Sequence, residues 1–495
     1  MSRGLLEQAR PLLLQQLGFN WVSQKAASID PNLGQLNLDQ KSQSLNQSEN
    51  RKALFFTTYS EPNLKLLQHM AQFSFFDEAM FSERLKFLSL TGVIEEDPEL
   101  KKAADTIVTE ARTYKATMVL LDSLGSLEDL GEGRSAVRRF LYRLSSQLSM
   151  LGINLIISLE RDILAPNRQK ELTVADGIIS LSTQLQGANR TRYIEISKLR
   201  GMNILMGLHS YRLSRDGFSV FPRMESRITK DSPGDEQPQP ENTLNLPGEP
   251  ERLKFDLPEL EQVFGGGLTA GSSTVISGSP GTGKTLISLY FLLAGVRAGE
   301  PGLYFGFREN KTQLLQKARR FGLDLQTPLQ QGLIDIITFP PVEMEPDFIA
   351  TKLQQAIEAH EVKRLVVDTL GELEQACKPQ QRSLSFSNAL QHYLKSLGIT
   401  TLYNLDISKL IGSELDLSET AFPSLAENLL LLRQVEYQAQ LYRILAVLKM
   451  RDSAYDNHIR QFVIESGSGL KVLDPLSSAQ GLLSGIARMV KTGSD

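Results

Sequence analysis

Residues 278–285 read Gly278-Ser279-Pro280-Gly281-Thr282-Gly283-Lys284-Thr285, or GSPGTGKT. The stretch fits G-x-x-x-x-G-K-[ST] at every fixed position. It follows the apolar, β-branched run SSTVISG (272–278) and opens the segment TLISLYFLLAGVRAG (285–299). Strand, glycine loop and helix is the order a phosphate-binding loop needs. The glycines let backbone N–H groups curl around phosphates without Cβ clashes. The helix N-terminus aims a partial positive charge at them. In this reading Gly278 to Thr285 cradle a triphosphate, Lys284 reaches its β- and γ-phosphates, and the Thr285 hydroxyl ligates Mg²⁺.

Downstream, short apolar runs alternate with amphipathic segments: GLYFGF (302–307), KTQLLQKARRFG (311–322), LIDIITF (333–339), DFIATKLQQAIEAHE (347–361), RLVVD (364–368), SFSNALQHYLKSLG (385–398) and ITTLYNL (399–405). Near-continuous apolar strands between helices predict an α/β fold with a mostly parallel sheet covered on both faces. The later runs NLLLLRQVEY, YRILAVLKM and IRQFVIES have no long helix between them and predict antiparallel strands at the sheet edge. Asp368 ends RLVVD, where a carboxylate can hold the Mg²⁺ shell. Glu309 follows GLYFGF at the carboxyl end of a strand, placed to orient an attacking water, or simply to suit a helix start. Lys449 and Arg451 alternate with Met450 and so share one strand face. They read either as a solvated edge or as cations reaching a neighbour's nucleotide.

The chain repeats itself. TMVLLDSLGSLEDL resembles RLVVDTLGELE, with Asp122 and Asp368 standing 246 residues apart. RYIEISKLRG resembles YRILAVLKMRD, with Lys198 and Lys449 251 apart, and ALFFTTYSEPNLKLLQ resembles GLYFGFRENKTQLLQ, with Glu61 and Glu309 248 apart. Three matches in one order at nearly one spacing mean two tandem copies of one domain. The polar, Pro-rich stretch 226–251 reads as a linker and 28–50 as a polar insert. The expected organisation is a first domain at 1–225, a linker at 226–251, a second domain at 252–475 and a tail at 476–495. The tail's LLSGIARMVKTGSD (482–495) reads as a short terminal helix.

Composition is that of an ordinary globular protein: 41% hydrophobic, 22% charged, formal net charge −4. That balance speaks against a nucleic-acid or acidic-membrane binder, and the clusters Arg138-Arg139 and Arg319-Arg320 read as solvated helix faces. One cysteine, Cys377, allows no intrachain disulfide framework, and the five histidines lack metal-ligand spacing. No run of 18 apolar residues occurs, so the expectation is a cytoplasmic protein with no membrane span.

The run GGGLTAGSSTVISGSPGTGKT, then FRE, LVVDTLGE, and VLKMRDS with IRQF after it, resembles the KaiC-like family of RecA-like P-loop ATPases. The resemblance covers nearly the whole chain and implies two tandem RecA-like domains. It implies ATP and Mg²⁺ as cofactors and a homo-oligomeric ring, usually hexameric, with ATP between subunits. It also implies Lys449 and Arg451 as trans contacts on a neighbour's γ-phosphate, Asn404 as a polar sensor, and a role in signalling or regulation with an unknown regulatory protein.

The chain departs from that family in named places. Two consecutive glutamates are expected after the second strand, but the residues are Arg308 and Glu309, and Ser60 and Glu61 in the first copy. Adjacent Ser and Thr phosphorylation sites are expected where Phe422-Pro423-Ser424-Leu425 stands, which argues against two-site autokinase activity and leaves Ser424 as a single candidate. Asp452 stands where relatives often have Gly. In the first copy the loop should fall near Ile29 and Asp30, where no G-K-[ST] occurs, and the polar DQKSQSLNQSEN stands where its helix should follow. That copy should hold no triphosphate, yet it keeps Asp122 and Lys198-Leu199-Arg200-Gly201. The K-L-R-G strand is merely structural, or serves the intact site of a related subunit in a mixed ring, or the chain begins late. Three functions compete: slow ATP hydrolysis at ring interfaces through the second domain, a non-hydrolysing ATP-dependent scaffold, and a RecA-type DNA-handling ATPase.

Overall fold

The computed structural model describes residues 3–23, 51–58, 68–97, 99–125, 127, 134–159, 174–186, 189–228, 251–342, 344–377, 381–407, 426–437, 440–451, 453–475, 479–480 and 488–489. The chain divides into two compact units, Met1–Phe221 and Pro222–Asp495.

The second unit is built on a nine-stranded sheet. Its strands, with the helices used below, are β9 (Ser273–Gly278), α5 (Lys284–Arg297), β10 (Gly302–Gly306), α6 (Lys311–Arg320), β11 (Ile334–Thr338), α7 (Pro346–His360), β12 (Arg364–Asp368), α8 (Gln381–Ser396), β13 (Thr400–Asp406), β14 (Asn428–Tyr437), β15 (Gln440–Met450), β16 (Arg460–Glu465) and β17 (Gly469–Pro475). The order is β11-β10-β12-β13-β9-β14-β15-β16-β17, parallel through β14 and antiparallel beyond it. β9 lies mid-sheet and every one of its residues is buried, as a strand covered on both faces must be. Alternate residues serve two cores. Ile276, Tyr304, Val366 and Leu402 face α5 and α6, and Val275, Phe305, Val367 and Tyr403 face α7 and α8. The expected elements are all present, with antiparallel strands closing the edge.

A further helix, α4 (Met224–Ile228), takes in the first residues of the stretch read as linker. Arg382 of α8 holds it through Glu225 at 2.7 and 2.9 Å and also reaches Asp347 of α7 at 2.5 Å. Burial alone would raise the Glu225 carboxyl, but the Arg382 hydrogen bond and charge win and hold it at about 2. Asp347, 1% exposed, is raised by its burial despite the same arginine. In the tail, Ala479–Gln480 pairs antiparallel with Arg488–Met489. These two residues are therefore extended, not helical as the tail's amphipathic spacing suggested, because their backbone groups are taken by a cross-strand partner.

The first unit repeats this plan with a piece missing. Its main elements, besides the short helices Glu78–Glu83 and Thr91–Glu95, are α1 (Arg3–Ser23), β1 (Ala53–Thr57), β2 (Leu85–Ser89), α2 (Lys101–Tyr114), β3 (Met118–Asp122), α3 (Arg134–Met150), β4 (Asn154–Ile157), β5 (Gly177–Gln186), β6 (Asn189–Leu199), β7 (His209–Ser214) and β8 (Gly217–Phe221). They form two four-stranded sheets, the parallel β2-β1-β3-β4 and the antiparallel β5-β6-β7-β8. Among the described residues, no strand stands between β4 and β5 as β9 stands between β13 and β14.

α1 packs on Phe55 and Leu120, the counterparts of Tyr304 and Val366 that α5 covers in the second unit. Its N-terminal half meets β6 to β8 through Ala9, Ile194, Tyr211 and Phe218. A helix on this face thus stands before the polar stretch DQKSQSLNQSEN, which occupies the place where the helix after the loop was expected. Counting back from β1 at constant spacing pointed to Ile29 and Asp30, which lie outside the described residues. A long polar segment separates α1 from β1, and lengthening a loop costs little closure entropy.

Candidate phosphate site

The loop 279–283 joins β9 to α5 at the carboxyl end of the parallel strands. Gly283 caps α5 at φ 108°, a left-handed conformation that disfavours any Cβ, and a Cβ there would fall 2.8 Å from Ile464 Cδ1. A Cβ on Gly278 would fall 2.6 Å from the Leu432 carbonyl oxygen. These two glycines let the loop turn tightly against β14 and β16. Thr282 is fully buried and its Oγ1 donates to the Ser279 carbonyl at 2.8 Å, tying the loop across Pro280 and Gly281.

Lys284 is 6% exposed. Its Nζ donates to the carbonyls of Gly278 (2.7 Å) and Ser279 (2.9 Å) and pairs with Asp406 Oδ1 at 2.8 Å. An ammonium buried in its own loop, among acceptors only, is a cation held ready for an anion. Thr285 Oγ1 donates to Asp368 Oδ2 at 3.0 Å. The Tyr304 hydroxyl donates to the same oxygen at 2.5 Å. Burial first, then the Asp368 carboxylate, pushes the tyrosine well above its ordinary pKa, so it stays a donor. A threonine hydroxyl and a carboxylate in contact at the head of α5 are a donor set suited to Mg²⁺, and the loop ahead of them fits a triphosphate.

Three further residues stand at the same edge. Asn404 pairs in register with both Asp368 and Ile276, is fully buried, and accepts from Ser288 Oγ at 3.1 Å. Its Nδ2 has no hydrogen-bond partner. Glu309 follows β10, with Oε1 paired to Lys317 of α6 and Oε2 buried without a partner. Arg308 beside it pairs with Glu372 and Asp406.

Lys449 and Arg451 are not brought to this place. Met450 pairs with Asn428 and Lys449 with Leu429, at the amino end of β14 and hence of β9. Five steps of about 3.3 Å between its six residues put the two ends of β9 about 17 Å apart. Lys449 Nζ donates to the Ala426 carbonyl at 2.6 Å, and burial, with help from Arg451, lowers its ammonium pKa. Arg451 is exposed and lines a cavity of about 690 Å³ with Ser272, Ser273, His392, Lys395 and Glu427. The first unit repeats this corner: Lys198 Nζ donates to the Ala175 carbonyl at 2.5 Å, and both β5 and β14 carry a bulge two residues in. There Phe55 occupies the Tyr304 position, and Asp122 accepts from Ser158.

Sequence reading missed Tyr304 and Asp406. Asp406 had a signal, since it ends the apolar run TTLYNLD as Asp368 ends RLVVD. Ser60, Glu61, Ser424 and Asp452 lie outside the described residues.

A glycine loop between a buried parallel strand and a helix, with a strand-end carboxylate on the loop threonine, defines a P-loop nucleotide-binding domain. The family model described as "ATPase: KaiC" matches residues 44–225 and 253–477, and the chain belongs to that family. It is 27% identical over 450 residues to the circadian clock oscillator protein KaiC of Parasynechococcus marenigrum (strain WH8102), a match covering 88% of this chain and 83% of that one. It is 28% identical over 392 residues to the protein of the same name from Thermostichus vulcanus, covering 79% and 72%. With the circadian clock oscillator protein KaiC 1 of Synechocystis sp. (strain ATCC 27184 / PCC 6803 / Kazusa) it shares 26% over 390 residues, covering 78% and 72%. No described helix is long and apolar enough to cross a membrane.

Proposed function

We propose that the second unit binds ATP with Mg²⁺ and hydrolyses it slowly at the interfaces of a homo-oligomeric ring, in the cytoplasm and in a regulatory role. The observation that carries this reading is the buried Lys284 folded onto its own loop carbonyls beside the Thr285–Asp368 contact. Residues 278–285 would cradle the phosphates, Thr285 and Asp368 would hold Mg²⁺, and Asn404 would offer its unpartnered Nδ2 near the phosphates. When bound, the ion would neutralise phosphate charge. Glu309 orients water through Oε2, the oxygen that Lys317 leaves without a partner. Lys449 and Arg451, at the far end of β9, serve the nucleotide of the next subunit rather than their own. The first unit binds no triphosphate and contributes its Lys198–Arg200 corner to the assembly.

A second reading is favoured by Arg308. A cation stands where the resemblance expects the first of two carboxylates, which suits a site that binds ATP to hold a scaffold together without turning it over. Steady-state hydrolysis by the purified chain separates the two. Multiple turnovers abolished by Lys284→Ala are the expected result, and nucleotide binding without turnover favours the scaffold.

A further inference from the structure

Neither Arg308 nor Asp406 has a task in the hydrolytic reading above. Asp406 ends β13 directly beside Gly278 of β9. Its Oδ1 takes Lys284 Nζ at 2.8 Å and its Oδ2 takes Arg308 Nη1 at 2.6 Å. The rest of the Arg308 guanidinium rests on Glu372 Oε1, with Nε at 2.8 Å and Nη2 at 2.7 Å. One carboxylate therefore joins the loop lysine to the arginine that follows β10. Two cations gripping two oxygens of one anionic group is also how cations grip a phosphate. The partners differ in freedom: the Lys284 side chain is 7% exposed, whereas that of Arg308 is 51% exposed. An anion that takes Lys284 away from Asp406 lands within the span of this bridge. It also meets the Asp406 charge, which then has to give way.

We infer that Asp406 is an internal stand-in for the terminal phosphate. It holds Lys284 and Arg308 together in the nucleotide-free site. A nucleoside triphosphate displaces it, and Arg308 then contacts the terminal phosphate from within the same chain. Lys284 serves di- and triphosphates alike, while Arg308 serves the triphosphate alone, so Arg308 makes the site selective for triphosphate over diphosphate. Glu372 keeps the guanidinium oriented during the exchange. The inference rests on the reading of residues 278–285 as a nucleotide site, and the controls keep the two apart.

The test is titration of the full chain with fluorescent ATP and ADP analogues in Mg²⁺, for the unmodified protein and for Lys284→Ala, Arg308→Gln, Arg308→Lys and Asp406→Asn. Loss of one charge-assisted phosphate contact predicts that Arg308→Gln weakens ATP about tenfold and moves ADP less than about twofold. Arg308→Lys, which keeps the charge without the fork, falls between. Asp406→Asn, which is isosteric and removes the competing anion, tightens both nucleotides about three- to tenfold. An unchanged ATP-to-ADP ratio in both Arg308 variants, or no tightening in Asp406→Asn, overturns the inference while Lys284→Ala still abolishes binding. If the unmodified chain binds neither nucleotide, the nucleotide reading falls and takes the inference with it.

Discussion

Replacing Arg451 by alanine leaves every contact of the phosphate loop in place and should still remove nearly all turnover. The reason is positional. Arg451 follows β15 at the amino end of β14, about 17 Å along the sheet from the loop at the carboxyl end of β9. It is exposed and bonds its own subunit only through its backbone N–H, to the Glu427 carbonyl at 3.1 Å, among the contacts described. In the ring proposed above, its guanidinium would serve the terminal phosphate of another subunit. A cation supplied in this way contributes about 10³-fold or more to rate, about 4 kcal/mol of barrier. Arg451→Ala alone should therefore turn over at about a thousandth of the unmodified rate, and Lys284→Ala should be as inactive for the opposite reason. Each variant retains what the other lacks. If the two are unfolded, mixed in equal amounts and reassembled, about a quarter of the interfaces join an intact loop to an intact Arg451. Steady-state phosphate release should then recover to about a quarter of the unmodified rate. A mixture no more active than its components, or an Arg451→Ala protein keeping more than half its turnover, would refute the trans assignment.

Tyr304→Phe removes the donor to Asp368 but keeps the ring that α5 covers, so urea unfolding should show a loss of about 1–2 kcal/mol and no more. Arg382→Met leaves Asp347 buried without its arginine and Glu225 with Arg223 alone, and should cost about 3–5 kcal/mol in the same assay. The Glu225 carboxyl is held at about 2 against an ordinary 4.5, so its stabilisation is complete above pH 4.5 and fades as pH falls from there towards 2. It amounts to at most about 3 kcal/mol, partly offset by the raised Asp347, and denaturation midpoints between pH 5 and 3 should flatten in Arg382→Met. Burial pushes the Cys377 thiol up to about 12, so a thiol reagent at pH 8 should label it only after denaturation.

Much of the second unit was legible because its signals are local. RLVVD, GLYFGF and SSTVISG are nearly uniform apolar runs, and each became a strand buried on both faces. The same uniformity hid Tyr304. When every residue of β10 is buried, alternation no longer says which side chain faces the α5 core, and nothing in GLYFGF sets the tyrosine beside Asp368 rather than in the opposite core. Asp406 was hidden by distance along the chain, since its partners Lys284 and Arg308 come from two other strand ends. In the first unit the repeat matched Asp122, Lys198 and their surroundings but gave no sign that α1 covers Phe55 and Leu120, because the polar segment between α1 and β1 has no counterpart before β10.

The amino-acid order by itself determined the phosphate loop and the duplication. The loop depends on eight consecutive residues, whose glycines, lysine and threonine carry their conformational and chemical preferences wherever the strand and helix beside them lie. The duplication depends only on comparing the chain with itself. Tertiary structure alone decided which side of the sheet each charge would occupy. The hairpin from β14 to β15 carries Lys449 and Arg451 back to the end remote from their own loop, while the parallel pairing of β9 with β13 sets Asp406 against Lys284. Both outcomes follow from strand direction and register, which are set by hydrogen bonds between segments far apart in the chain.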